Sequence, residues 1–376
     1  MNARIPAEVF PPGEYLKDEL EARNWTQVEF AEIIGKDTRL VYEVVNGRRA
    51  ITPETAVILG EAFGTSPELW MNLESQYQLS KVRSKESSVS KRALLHSQFP
   101  VRDMVKRGWI EPTKNVDILE KQIFSYFGIE KIFEAPTFQH AAKKRAYSET
   151  SIQQIAWLCR ARAIASSAPA QKYTAANLVK AIGELEGELE YVDGVRNVAS
   201  ILSKAGIRFV IVEALPKSEI DGACFWLDKS KPVVAMSLRF NRVDNFWHTL
   251  LHELDHVKHK EGVEQPVIDV NILGGELDEM PDIEIRANKA AAELLVPNDE
   301  MTGFIARVNP SFSESQIIGF ARRMGVHPSI VIGQLQHRGL IHWSHFRKRL
   351  EKIREQVTSS TLTDGFGQTI NDLINR

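Results

Sequence analysis

Two histidines and a glutamate within one helical turn carry the most specific chemical signal in this sequence. Residues 247–259 read WHTLLHELDHVKH, and inside them His252-Glu253-Leu254-Asp255-His256 forms an H-E-x-x-H pattern. On a helix, positions i and i+4 share a face, so both imidazoles can address one metal ion. Glu253 lies about 100° round the axis from His252. That is poor placement for a ligand but good placement for taking a proton from a metal-activated water. The intervening Phe246, Trp247, Leu250, Leu251, Leu254 and Val257 predict a largely buried helix, with Asp244 as its cap and Gly262 as its stop.

A third ligand must come from elsewhere. The metzincin pattern needs a histidine six residues past the second one, but that position is Gly262. His259 belongs to the same helix and reads as a solvated residue near its end. Downstream, PDIEIRANKAAAELLVP opens a second helical pattern at Glu284, 28 residues past His256. Ala287, Ala291, Leu294 and Leu295 give it an apolar stripe, and the alanines permit close approach to the first helix. Two histidines and one carboxylate leave a fourth position open, the arrangement of catalytic zinc.

HELDH followed by ExxANxxAxxLLxP (Glu284, Ala287, Asn288, Ala291, Leu294, Leu295, Pro297) resembles the ImmA/IrrE metallo-endopeptidases. These are gluzincin-like proteins of bacteria, phages and mobile elements whose members cleave or inactivate helix-turn-helix repressors. The resemblance implies one Zn2+ per chain, held by His252, His256 and Glu284. It implies Glu253 as the general base that takes a proton from water and passes it to the leaving amine. It also implies a repressor-type protein as substrate. One departure is His248, where the family carries an aromatic residue. We read it as a partly buried histidine filling that place, the alternatives being competition for metal or a hydrogen bond to substrate.

Three strand candidates precede the H-E-x-x-H helix: Ile207–Ala214, Ala223–Leu227 and Val233–Leu238. Gly206, Pro216, Asp221-Gly222 and Lys231-Pro232 punctuate them. A small antiparallel sheet, then the active helix, then the Glu284 helix makes an α+β zincin-like (gluzincin) domain. The strand next to the loop EIDGAC is the candidate to receive an extended peptide by strand addition. The run from Ile317 to Ile341 has a helix-turn-helix look of its own and reads as the helical subdomain that follows the peptidase in this family.

The N-terminal segment carries different punctuation. In TQVEFAEIIGKDTRLVYEVVNGRR, Thr26-x-x-Glu29 is a capping box, Ala31 lets helices cross closely, and Gly35 permits the turn. Val41, Val44 and Val45 give the second helix its apolar face. Thr52-Pro53 and Ser66-Pro67 open two more helices. Five short helices so spaced resemble the XRE (lambda-repressor-like) domain, and the flanking IPAEVFPPGEYL and ITPETAVILGEAFGTSPELW resemble HigA-type antitoxins. The resemblance implies an all-α DNA-binding domain with Thr38, Arg39 and Glu43 near base edges and Gln27, Tyr42, Arg48 and Arg49 near phosphates. It further implies a double-stranded DNA operator, a homodimer, and a toxin as a possible partner. Charge speaks against DNA at first sight: residues 1–80 hold seven Lys/Arg against thirteen Asp/Glu, a net of −6. Lys36, Arg39, Arg48 and Arg49 nonetheless cluster, and most of the acids fall on other helices.

The chain of 376 residues therefore reads as multidomain: a helix-turn-helix domain at 1–80, a basic linker and helical connector at 81–150, a peptidase domain at 151–345 and a tail at 346–376 that frays or adds a helix. KVRSKESSVSKR (81–92) is a Ser-rich basic hinge, and AAKKRAYSET (141–150) faces water. A hydrophobic share of 43% and a charged share of 26% are ordinary for soluble proteins, and the net charge of −2 favours no class of partner. Cys159 and Cys224, without metal spacing, read as inert thiols in a reducing cytosol. No apolar run approaches membrane-spanning length and the N-terminus lacks a signal-peptide core, so a cytoplasmic protein with no membrane partner is expected. The function expected is a DNA-binding transcriptional regulator with a zinc-dependent endopeptidase domain. The alternative is a HigA-like antitoxin and autorepressor whose zincin domain is a non-catalytic sensor or partner-binding module.

Overall fold

The N-terminal helices begin where the sequence supplies caps. In the computed structural model these are α1 (Pro12–Ala22), α2 (Gln27–Ile33), α3 (Thr38–Val45), α4 (Pro53–Phe63) and α5 (Pro67–Val82). The structure describes residues 9–82, 88–132, 150–270 and 281–364. The Thr26–Glu29 capping box closes: the Thr26 hydroxyl accepts from the Glu29 N–H at 3.2 Å and the Glu29 carboxylate accepts from the Thr26 N–H at 2.8 Å. Gly35, at φ +62°, makes the turn into α3, which the Asp37 side chain caps. Leu16, Phe30, Ala31, Val41, Val44, Leu59, Phe63 and Trp70 form the core of this unit. The chain divides into two units, Met1–Ala93 and Leu94–Arg376.

The second unit is organised by a five-stranded sheet of order β4-β2-β3-β1-β5. Its strands are β1 (Arg208–Ile211), β2 (Ile220–Trp226), β3 (Pro232–Met236), β4 (Val267–Val270) and β5 (Leu362–Thr363). The sheet is mixed, not antiparallel as expected from the sequence. A tight turn at Asp228–Lys231 pairs β2 and β3 antiparallel, and the crossover from β1 to β2 leaves β1 parallel to β3. The tail then adds β5 parallel to β1, and β4 pairs antiparallel with β2. EIDGAC is no loop either. Ile220–Cys224 is the first part of β2, which lies between β4 and β3, so the open edge on that side belongs to β4.

The three central strands are buried along almost all their length, and apolar apart from Arg208 and Asp221, because both faces are covered. With period two, Phe209, Ile211, Cys224, Val234 and Met236 face the H-E-x-x-H helix side, and Val210, Ala223, Phe225, Val233 and Ala235 face the other. That other face is covered by α6 (Ser88–Gln98), α7 (Val101–Lys106), α8 (Val116–Phe127) and α9 (Ile152–Ser167) through Leu95, Phe99, Met104, Ile123, Phe127 and Ile155. The helices expected as a connector thus supply one layer of the core. The segment expected as a tail is also built in: Ile353, Val357, Thr363 and Asp364 are buried, and Asp364 accepts from Trp109 Nε1 and Arg160 Nε, each at 2.6 Å.

On the first face, α10 (Ala175–Glu186) and α11 (Val198–Ala205) share a core with α12 (Val243–Lys258), which carries both histidines. Then come α13 (Asp282–Leu295), α14 (Asn298–Val308), α15 (Glu314–Met324) and α16 (Pro328–His337). Phe304, Ile317, Phe320, Val331 and Leu335 join the same core as α12. The N-cap position of α12 is Arg242 rather than Asp244, which lies in the first turn and pairs with Arg242, and its C-cap position is His259, before Gly262. Residues 83–87 of the expected hinge, 141–149 of the basic stretch and 365–376 of the tail lie outside the described residues. No helix among those described is long and apolar enough to cross a membrane.

Candidate metal centre and nucleic-acid interface

His252 and His256 are fully buried on the face of α12 that meets α13. Buried Ala287 and Ala291 let the two helices pack closely. The outer nitrogen of each imidazole is already engaged. His252 Nδ1 donates to Asn288 Oδ1 at 2.9 Å, and His256 Nδ1 donates to Glu261 Oε2 at 2.6 Å. Arg286 holds Glu261 at 2.7 Å and Asp255 at 2.8 Å, completing a guanidinium–carboxylate–imidazole chain. These bonds fix the tautomers and leave both Nε2 lone pairs pointing inward.

What the two Nε2 atoms face is Glu284 and Asp269. Glu284 Oε2 lies 3.1 Å from His252 Nε2 and 3.5 Å from His256 Nε2. Asp269 Oδ2 lies 3.2 Å and 3.8 Å from the same two atoms. One ligand atom from each of His252, His256, Asp269 and Glu284 falls within 4.8 Å of the others. Four lone-pair donors converge with the imidazole N–H groups turned away, and Asp269 Oδ2 has no hydrogen-bond partner although its residue is buried. Such a nest is held together only by positive charge, so the donor set fits a divalent cation. In the chain by itself, protons serve. Burial opposes charge on His252, but Asp269 and Glu284 outweigh it and push the imidazole up to about 10. Burial also opposes charge on His256, and Glu284 and Asp269 again raise it. Burial would raise Asp269, but the two imidazoles hold its carboxyl below the usual range.

Glu253 is buried on the flank of α12, pressed against β2, and both its oxygens lack a hydrogen-bond partner. Gly222 makes room for it: a Cβ there would stand 2.1 Å from Glu253 Oε1. Opposite Gly222 on β4 stands Asp269, at a register shift between Ile220 and Gly222. Burial, reinforced by Asp269, Glu284 and Asp221, pushes the Glu253 carboxyl well above the usual range. His248 is not among the ligand atoms. Its ring centre is 6.4 Å from that of His252, and burial with the neighbouring His252 and His337 pushes it down to about 3, a neutral imidazole. His259 Nδ1 donates to the Asp255 carbonyl at the helix end, and its side chain is 39% exposed.

His252, His256, Glu284 and Glu253 therefore come together as their spacing and the resemblance led us to expect, and Asp269 is the residue missed. It sits on a four-residue edge strand with no motif of its own, brought in by pairing with β2. Cys159 and Cys224 are free thiols, and burial pushes Cys159 up to about 12 and Cys224 well above its ordinary value, as befits unreactive groups.

In the first unit, α3 presents Thr38 and Arg39 at its N-terminal end, with the Arg39 side chain 82% exposed. Glu43 is committed to its neighbours: it lies 2.8 Å from Arg39 Nε and 3.7 Å from Arg49. Tyr42 is exposed with the Arg48 guanidinium 5.7 Å from its ring centre, and Gln27 opens α2 half-buried. Exposed cations at the start of a short helix and just past its end, with a planar aromatic beside them, suit a phosphate-lined groove.

Residues 16–70 match the helix-turn-helix family HTH_3. An uncharacterized HTH-type transcriptional regulator, YddM of Escherichia coli, is 30% identical over 70 residues, covering 19% of this chain and 74% of the relative. Through this domain the chain belongs to the helix-turn-helix family of DNA-binding regulators. Among solved structures it is similar to an addiction module antidote protein of a HigA family from Coxiella burnetii, with 36% identity, 19% of this chain and 79% of that one covered, and a TM-score of 0.19. It is also similar to the Pseudomonas aeruginosa antitoxin HigA, solved with the higBA promoter, with 33% identity, 20% and 83% covered, and a TM-score of 0.20.

Proposed function

We propose that this DNA-binding regulator carries, in its second unit, a metal-dependent endopeptidase acting on a protein substrate. The convergence of His252, His256, Asp269 and Glu284 beside a buried Glu253 is the observation that supports it. His252, His256 and Glu284 would hold Zn2+, which when bound supplies the Lewis acidity that makes water acidic near neutral pH. The chain's own residues do the rest. Asn288 and the Glu261–Arg286 pair hold the imidazoles in one tautomer and orientation. Glu253, next to His252 on α12, would be the group that accepts one proton from the water that adds to the peptide carbonyl, in its ionised form once a bound cation offsets the surrounding carboxylates. It returns that proton to the amide nitrogen as the C–N bond breaks.

The substrate class, a helix-turn-helix repressor, comes from the resemblance of the H-E-x-x-H and Glu284 segments. A two-fold operator would place two copies of the first unit on DNA, hence a homodimer, and a toxin is the partner expected if the chain acts as an antitoxin. The non-catalytic alternative draws on one observation, the burial of both Glu253 oxygens away from solvent. Metal analysis of the purified full chain, with co-expression of a neighbouring repressor, tests the proposal. One zinc per chain and loss of both zinc and cleavage in His252→Ala support it. Zinc-loaded protein that leaves the repressor whole refutes the catalytic half.

A further inference from the structure

Three protein ligands suffice for a working site, yet the structure brings four together. Asp269 is not a bystander. Its Oδ2 lies 3.2 Å from His252 Nε2, as near as Glu284 Oε2 at 3.1 Å. Its side chain is more deeply buried than that of Glu284, 4% exposed against 18%, and Oδ2 faces the two imidazole Nε2 atoms at 3.2 and 3.8 Å. A buried carboxylate is costly unless positive charge meets it, whether a protonated imidazole or a bound cation. The β2–β4 pairing sets it there: Gly222, which lies against Glu253 of α12, pairs with Asp269 beside a register shift.

We infer that Asp269 is a fourth protein ligand, which closes the metal site of the resting chain. The inference rests on the metal centre proposed above and deepens it. With four ligands supplied by the protein, the donor set would be that of a structural zinc rather than a catalytic one. Glu253, which must touch water to act, is fully buried in the same state. Catalysis then requires Asp269 to withdraw, and β4 is built to let go. It is an edge strand of four residues, paired on one side only among the described residues, and Val270 at its end is 41% exposed. An extended substrate segment arriving at this edge is the natural competitor for the place β4 occupies beside β2.

The test is made on the full chain loaded with Co2+ in place of Zn2+ and reads the metal's visible absorption. Acetohydroxamate, a small chelating anion, is titrated into wild type, Asp269→Asn, Asp269→Ala and Glu253→Gln, with circular dichroism to confirm folding. Wild type and Glu253→Gln should leave the spectrum unchanged at millimolar hydroxamate, while both Asp269 variants shift it. Chelator competition should show the Asp269 variants holding Co2+ more weakly by on the order of 10–100-fold, the range known for loss of groups that support a metal. Identical hydroxamate responses and identical Co2+ affinity in wild type and Asp269→Ala overturn the inference while leaving the three-ligand site standing. A folded wild type that takes up no Co2+ overturns the inference and the metal centre beneath it together.

Discussion

Gly222→Ala should jam the space in which Glu253 sits. A Cβ at this position would lie 2.1 Å from Glu253 Oε1, 2.9 Å from Cδ and 3.1 Å from Cγ. To reach ordinary contact the carboxylate must retreat from 2.1 Å to about 3.4 Å. It has nowhere empty to go, since Glu253 is fully buried between α12 and β2. Overpacking of this kind costs about 1–3 kcal/mol. A displacement of roughly 1 Å at a reacting group also costs on the order of 10²-fold in rate. Urea unfolding of wild type, Gly222→Ala, Glu253→Ala and the double variant measures the stability part. All three clashing atoms belong to Glu253, so the double variant should recover most of the loss, with a coupling of about 1–3 kcal/mol. If Gly222→Ala costs the same whether or not Glu253 is present, the close approach is not with Glu253. The reasoning about its position then fails.

Arg39→Ala should weaken sequence-specific DNA binding by about 1–3 kcal/mol, whereas Arg48→Ala should weaken all sequences alike and flatten the salt dependence; mobility shifts at several salt concentrations separate the two. Asp364→Ala removes the acceptor of Trp109 Nε1 and Arg160 Nε and the carboxylate beside buried Arg107, so calorimetry should show a loss of about 3–5 kcal/mol in the second unit, centred on a segment that looks like a tail in the sequence. Burial holds His327 below its ordinary value, so its contribution to stability is present above pH about 6.5 and drains as the pH falls below that. His327 caps α16 through Nδ1, and His327→Asn, a cap that does not titrate, should flatten the decline in Tm between neutral and acid pH.

The helix-turn-helix unit was legible because its signals are local. Thr26 and Glu29 reach each other within one turn, and Gly35 needs only its own φ. The paired histidines were legible for the same reason, and Glu284 because the Ala287 and Ala291 stripe marks a helix that must pack closely. Asp269 was not, because nothing in VIDV marks a ligand; only the pairing of β4 with β2 carries it to the histidines. The parallel pairing of β1 with β3 and β5 is equally non-local, with β5 entering from some 150 residues downstream of β1. Composition also misled at residues 81–150. A basic, Ser-rich start suggested a linker, but Leu95, Phe99, Met104, Ile123 and Phe127 are spaced to line one apolar face, and a second apolar face of the sheet requires them.

Glu253→Gln separates peptidase from sensor most directly. Glutamine is nearly isosteric and still hydrogen-bonds, but it cannot carry the proton at neutral pH. The expected variant keeps its metal content and its DNA binding and loses proteolysis by about 10²–10⁴-fold, with the target repressor left intact in cells. A Glu253→Gln protein that matches wild type in every cellular response, while His252→Ala does not, would show that the metal is structural or sensory and that the chain is not a peptidase.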